Sequence, residues 1–180
     1  RSSIVKNIEL TNIGPSVMSG RVTDLEVNPN NPTEFYVAYA SGGLWHTKNN
    51  GTTFSPIMDN SMTQNIGDFA IDWKSNSIYV GTGESNSSRS SYPGIGILKS
   101  NDNGSTWSNI GLRDSHHISR VLVNPNNENH IVVAVIGHLY TKNIQRGIFT
   151  SFDNGQTWKK SLFINDNTGA IDLVVDPENF

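Results

Sequence analysis

The sequence predicts an all-β fold, a β-propeller fragment of about three four-stranded blades joined by tight turns. Three observations carry this. Short apolar runs alternate with clusters of Gly, Asn, Pro and Asp, and no window sustains a helical apolar period. A turn motif recurs at intervals of about 50 residues, the length of one propeller blade. A second motif recurs in phase with the first.

The turn motif reads S-x-D-x-G-x-T-W. It appears as Ser100 to Trp107, with Asp102 and Gly104, and as Ser151 to Trp158, with Asp153 and Gly155. A weaker copy runs from Thr47 to Phe54, where Asn49, Gly51 and Phe54 hold the Asp, Gly and Trp places. Such an Asp box suits the hairpin between a blade's third and fourth strands. The carboxylate can accept turn N–H groups. Glycine supplies positive φ without a steric cost. The aromatic residue buries a large surface beneath the turn. Recurrence in every blade favours a structural role, because a reaction needs no repetition.

The second motif marks each first strand. Val22 to Asn31 parallels Ile118 to Asn127; Ile66 to Trp73 is the same element, and Ala170 begins another. The expected organisation is a blade-closing strand at 5–13, blades at 21–60, 65–112 and 117–164, and the first strand of a fourth blade at 169–180. Three blades do not normally close a ring. The expectation is therefore a parent chain of roughly six to eight blades, the rest of that chain being one partner of this piece.

Composition narrows the partners. The 180 residues carry a net charge of −3 and no basic run, which disfavours nucleic acid. No apolar stretch is long enough to span a bilayer. Cysteine is absent, so disulfides and thiolate metal sites are excluded. The five histidines form no H-x-x-x-H or H-E-x-x-H pattern, and the expectation is no metal and no cofactor.

Beyond the Asp boxes, several segments resemble one family. They include Asn12-Ile13-Gly14-Pro15, Ser19-Gly20-Arg21-Val22, Ser41-Gly42-Gly43-Leu44-Trp45, Gly81-Thr82-Gly83-Glu84, Asp114-Ser115-His116-His117-Ile118 and Gly137-His138-Leu139. Together they resemble sortilin-type propellers and the bacterial BNR-repeat proteins labelled glycosyl hydrolase-like. The resemblance implies a propeller in an extracytoplasmic protein. It implies a fold more firmly than a reaction.

Aligned first strands place Asp24, Asp68, Arg120 and Asp172 in one column, and Arg21, Asn65, His117 and Gly169 in the column three residues earlier. The first column, if it faces the axis, makes a mostly acidic ring. One reading is a recognition scaffold for a protein, peptide or carbohydrate ligand, with Arg21, Arg120, Asp172, Arg89 and Tyr92 as contacts; Arg89 and Tyr92 belong to the longest polar loop. The other is glycoside hydrolysis by Asp24, Asp68 or Glu84, which needs two carboxyls about 5–10 Å apart. An enzyme should keep a close acidic pair in a cleft. A scaffold should have Asp24 and Asp68 neutralised by Arg or backbone partners.

Overall fold

The computed structural model describes residues 20–86, 91–176 and 180. The expected closing strand at 5–13 and the candidate contact Arg89 lie outside them. Three antiparallel sheets follow one another along the chain. The first contains β1 (Val22–Val27), β2 (Phe35–Tyr39), β3 (Gly43–Thr47) and β4 (Ser55–Pro56). The second contains β5 (Ile66–Asp72), β6 (Ser77–Thr82), β7 (Ile97–Ser100) and β8 (Ser108–Gly111). The third contains β9 (Ile118–Asn124), β10 (Asn127–Val135), β11 (Gly147–Ser151) and β12 (Lys159–Leu162). In each sheet the strands pair in chain order. The first strands stand side by side, β1 against β5 and β5 against β9.

Alternation along each strand makes two apolar faces per blade, and neighbouring blades bury them against each other. Between the first and second sheets lie Tyr36, Ala38, Leu44, Ile66, Phe69, Val80 and Leu98. Between the second and third lie Ala70, Tyr79, Ile97, Val121, Val133 and Phe149. Each large apolar side chain fully buried in such a seam stabilises the fold by about 1.5–3 kcal/mol. β6 is buried along its whole length, as the middle of the described stack requires. On β1 the face away from the second sheet is open, with Leu25 49% and Val27 41% exposed.

The hairpin turns between third and fourth strands have one geometry. Asp102 accepts the Thr106 N–H at 2.8 Å and both the Ser100 and Thr106 hydroxyls. Ser100 Oγ in turn accepts the Gly104 N–H at 2.8 Å. Asp153, Ser151, Gly155 and Thr157 repeat these bonds. The Thr157 bonds, with that from Ser151, hold the Asp153 carboxyl down to about 2. Asn49 does the same work in the first sheet, its Oδ1 accepting the Thr53 N–H at 2.9 Å. The residues before the glycines, Asn50, Asn103 and Asn154, are also left-handed, which asparagine tolerates.

The tryptophans do more than pack beneath their own turns. Trp107 Nε1 donates to the Ile57 carbonyl at 3.0 Å, and Trp158 Nε1 donates to the Ile110 carbonyl at 2.8 Å. Each indole therefore ties its turn to the preceding blade. Phe54 has no such donor and is 42% exposed, resting edge-on against Phe35.

Around residues 169–176 the chain forms no ladder beyond a single bridge at Asp176. It is nonetheless held beside the third blade. Ala170 N–H donates to the Val135 carbonyl at 3.0 Å, and Ser119 Oγ donates to the Ala170 carbonyl at 3.0 Å. A first strand acquires a ladder only when a second strand lies beside it, and none does among the described residues.

Candidate functional site along the inner strands

Each first strand carries a β-bulge at the same place. The pairing skips Thr23 between Val22 and Asp24, Gly67 between Ile66 and Asp68, and Ser119 between Ile118 and Arg120. A bulge re-aims the side chain that follows it. Here those side chains are Asp24, Asp68 and Arg120, three of the four residues in the predicted column.

Each then reaches the next inner strand. Asp24 lies beside Asp68, close enough for its carboxyl to raise the Asp68 pKa. Asp68 Oδ2 accepts the Val121 N–H at 2.7 Å, and its Oδ1 lies 3.5 Å from Arg120 Nη1. Arg120 Nε donates to Asp172 Oδ1 at 2.8 Å. The column is thus a directional relay of polar contacts, Asp24 to Asp68 to Arg120 to Asp172.

The electrostatics follow burial. Asp68 is buried beside a second carboxyl, and both facts push its pKa well above the ordinary carboxylate range; the Val121 N–H and the Arg120 charge oppose the rise. Asp172 is exposed, and its bond from Arg120 lowers its pKa. Glu26 belongs to this group although the column alignment does not select it. It follows Asp24 by two residues and faces the same seam. Ala70 and Leu122 hold its place in the other blades. Burial there, then the nearby Asp24 charge, raises Glu26 to about 7.

The earlier column makes a second set of contacts at the same end of the sheets. Arg21 Nη2 donates to Glu84 Oε2 at 2.6 Å, and the Tyr92 N–H donates to Glu84 Oε1 at 3.2 Å. Glu84 is 4% exposed. His117 Nδ1 lies 2.8 Å from the Glu84 carbonyl, and burial lowers its pKa. Asn65 Nδ2 donates to the Pro93 carbonyl at 3.1 Å. Arg21, Asn65 and His117 therefore each grip the loop after β6 rather than lie open on the axis. The Tyr92 side chain is half-exposed.

Beside the relay is an open cleft of about 280 Å³, bordered by Thr23, Asp68, Asn86, Ser119, Arg120 and Asp172. Its one large apolar neighbour among the described residues is Ile171. Its depth is limited by how closely the strands approach: a Cβ on Gly67 would stand 1.8 Å from the Ile118 carbonyl oxygen. Gly83 approaches the His116 carbonyl oxygen to the same degree. These glycines escape a search for reactive side chains, yet they set the width of the seam.

The architecture recurs among solved structures. An ancestral GH74 enzyme aligns with a TM-score of 0.65 at 20% identity, over 89% of this chain and 20% of its own. The fold is a β-propeller, represented here by three blades. A GH74 xyloglucanase from Xanthomonas campestris aligns with a TM-score of 0.57 at 14% identity, over 81% of this chain and 23% of its own. YCF48 from Cyanidioschyzon merolae aligns with a TM-score of 0.53 at 19% identity, over 84% of this chain and 40% of its own. The propeller segment thus spans well under half the length of each. At such identities the likeness concerns the fold alone. No protein-family model and no curated protein matches the sequence. Among the described residues, no helix is long and apolar enough to cross a membrane.

Proposed function

We propose that the chain is part of an Asp-box propeller of the sortilin and BNR type, acting as a recognition scaffold for a protein, peptide or glycan outside the cytoplasm. One observation carries this reading: two of the three candidate catalytic carboxyls, Asp68 and Glu84, are already engaged by the fold. Asp68 is held by the Val121 N–H and Arg120, and Glu84 is held by Arg21 and the Tyr92 N–H. Neither acid keeps the unpartnered face that a nucleophile or general acid presents to a substrate. The surface left for a ligand is Tyr92, the outer edges of Arg21 and Arg120, and Asp172 beside the cleft. An aromatic face, guanidinium groups and a carboxylate suit polar ligands of either kind.

The test is a peptide and glycan array probed with the purified protein and with Tyr92→Ala and Arg120→Gln variants. A scaffold of this kind yields a saturable ligand whose binding weakens in both variants. Binding that ignores both would remove the cleft end from consideration.

A second reading is glycoside hydrolysis through Asp24, Asp68 or Glu84. It is favoured by the raised pKa of Asp68, since a general acid must hold its proton near neutrality. Against it stands the engagement of Asp68 by the Val121 N–H and Arg120, which ties that carboxyl to the neighbouring blade. Xyloglucan is a natural first substrate to offer. Release of reducing sugar that disappears in an Asp24→Asn/Asp68→Asn double variant would replace the scaffold reading with this one.

A further inference from the structure

The connection from β8 to β9 and the loop from β10 to β11 meet at the end of the sheets that carries Arg21 and Glu84. Three side chains converge there: Asp114 and His116 from the connection, and His138 from the loop. Their potential ligand atoms all lie within 4.8 Å of one another. The two imidazoles stack with ring centroids 3.6 Å apart and planes 20° apart. We propose that Asp114, His116 and His138 form a binding site for one first-row divalent cation, zinc above all, that clips the interblade connection to the third blade.

The arrangement around His138 supports this. Its Nδ1 lies 2.8 Å from Thr141 Oγ1. Its Nε2 lies 3.0 Å from the Asp114 carbonyl oxygen and 3.2 Å from Asp114 Oδ1. His138 Nε2 thus faces two oxygens of Asp114, a place that a bound cation could share with them. Thr141 then takes the outer nitrogen, as the partners of metal-bound histidines do.

The supports are rigid. Asn143 is buried, and its Nδ2 donates to Asp114 Oδ2 at 2.9 Å and to the Asp114 carbonyl at 3.0 Å. Buried Arg146 donates to the carbonyls of Ile136, His138 and Thr141, fixing the loop that carries the second imidazole. His116 adopts φ of 56°, which swings its ring back toward His138.

Two imidazoles and one carboxylate form a borderline donor set that suits zinc, with a fourth position left for water. Ligands on tetrahedral zinc stand about 3.3–3.6 Å apart, given bonds of about 2.0–2.2 Å. Each metal bond lies in the plane of its ring, so binding takes rotation of the His116 ring out of the stack on His138, while Asn143 keeps hold of Asp114 Oδ2 and Oδ1 turns to the ion. The sequence hides this site because its ligands come from two loops of successive blades, with no helical or hairpin spacing between them.

The decisive experiment is calorimetric titration of the chelator-stripped protein with zinc chloride, paired with thermal melts. One saturable equivalent of zinc should bind and raise the Tm, and chelator should reverse both. His138→Gln should weaken binding at least about 100-fold. His116→Asn should do the same while keeping the turn, because asparagine accepts the left-handed backbone. Thr141→Val removes only the outer partner and should cost about 10-fold or more. A His130→Gln control, outside the cluster, should bind like the unaltered protein. Absence of saturable zinc binding by the unaltered protein overturns the proposal. So does binding that survives both His138→Gln and Thr141→Val, even where His116→Asn fails to fold.

Discussion

The carboxylate of Asp68, on the inner strand of the second blade, accepts the backbone N–H of Val121 on the inner strand of the third at 2.7 Å. A side chain of one blade thus completes the hydrogen bonding of the next blade's backbone. Removing the acceptor leaves that buried N–H without a partner. Asp68→Ala should therefore lower unfolding free energy by about 1–3 kcal/mol in urea titration. Asp68→Asn should cost much less. Its amide oxygen can accept the Val121 N–H while its NH2 group donates to Asp24, as a protonated Asp68 would.

Stability should depend on pH with a maximum on the mildly acidic side. Glu26 is raised from 4.5 to about 7 by burial and then by Asp24, and Asp68 is raised by the same two causes. Between the unfolded and folded values the native protein holds protons that the unfolded chain has released. Stability from Glu26 is complete below about pH 4.5 and is lost as pH rises through 7, and that from Asp68 is complete below 3.8 and is lost as pH rises through about 8. Asp153 acts in the opposite sense: lowered from 3.8 to about 2, it favours the fold above 3.8 and loses that advantage on further acidification. Melting curves from pH 2 to 9 should rise and then fall. A Glu26→Gln/Asp68→Asn variant should flatten the falling limb and leave the rising one in place.

Gly67 is the bulge residue of the second blade, and a Cβ there would meet the Ile118 carbonyl oxygen at 1.8 Å. The obstacle is backbone of the neighbouring strand and cannot swing aside as a side chain would. Gly67→Ala should cost about 3 kcal/mol or more and loosen the second seam. Near-UV circular dichroism and the chemical midpoint would register it. At the equivalent bulge position of the first blade, Thr23, no such constraint acts, and Thr23→Ala should be mild.

The turn at Asp102 offers a graded comparison. Asn49 shows that an amide oxygen can take the turn N–H in this geometry. Asp102→Asn should therefore lower the Tm less than Asp102→Ala, which also abandons the Ser100 and Thr106 hydroxyls. Equal losses would mean that charge, rather than acceptor geometry, holds the turn.

The sequence makes the blades legible because the repeat samples the same local solution several times. The fourth strand of the first blade is the exception: it runs only over Ser55–Pro56, where β8 and β12 span four residues each, since Pro56 cannot donate to a ladder. The column of Asp24, Asp68, Arg120 and Asp172 is legible for the same reason, equivalent positions being equivalent in space. Glu26 is not, because its meaning lies in a departure from Ala70 and Leu122 that only burial reveals. The pairing of Arg21 with Glu84 joins residues from the entry to one blade and the loop of the next, and local pattern carries no information about it. Gly67 and Gly83 matter for what they lack.

The repeated bulge also sets how the molecule should come apart. Among the described residues the post-bulge side chains link each inner strand to its neighbours, Asp68 meeting the first blade at Asp24 and the third at Val121 and Arg120, so the blades form an array coupled chiefly through adjacent seams. In such an array the total stability resolves into a contribution from each unit and one from each junction. The second blade has a described junction on both sides, whereas the first leaves Leu25 and Val27 bare. Amide hydrogens of β5 and β6 should accordingly exchange most slowly, with opening events fraying inward from either side like the ends of a zipper. Uniform protection across all three sheets would instead reveal a single cooperative unit larger than any blade.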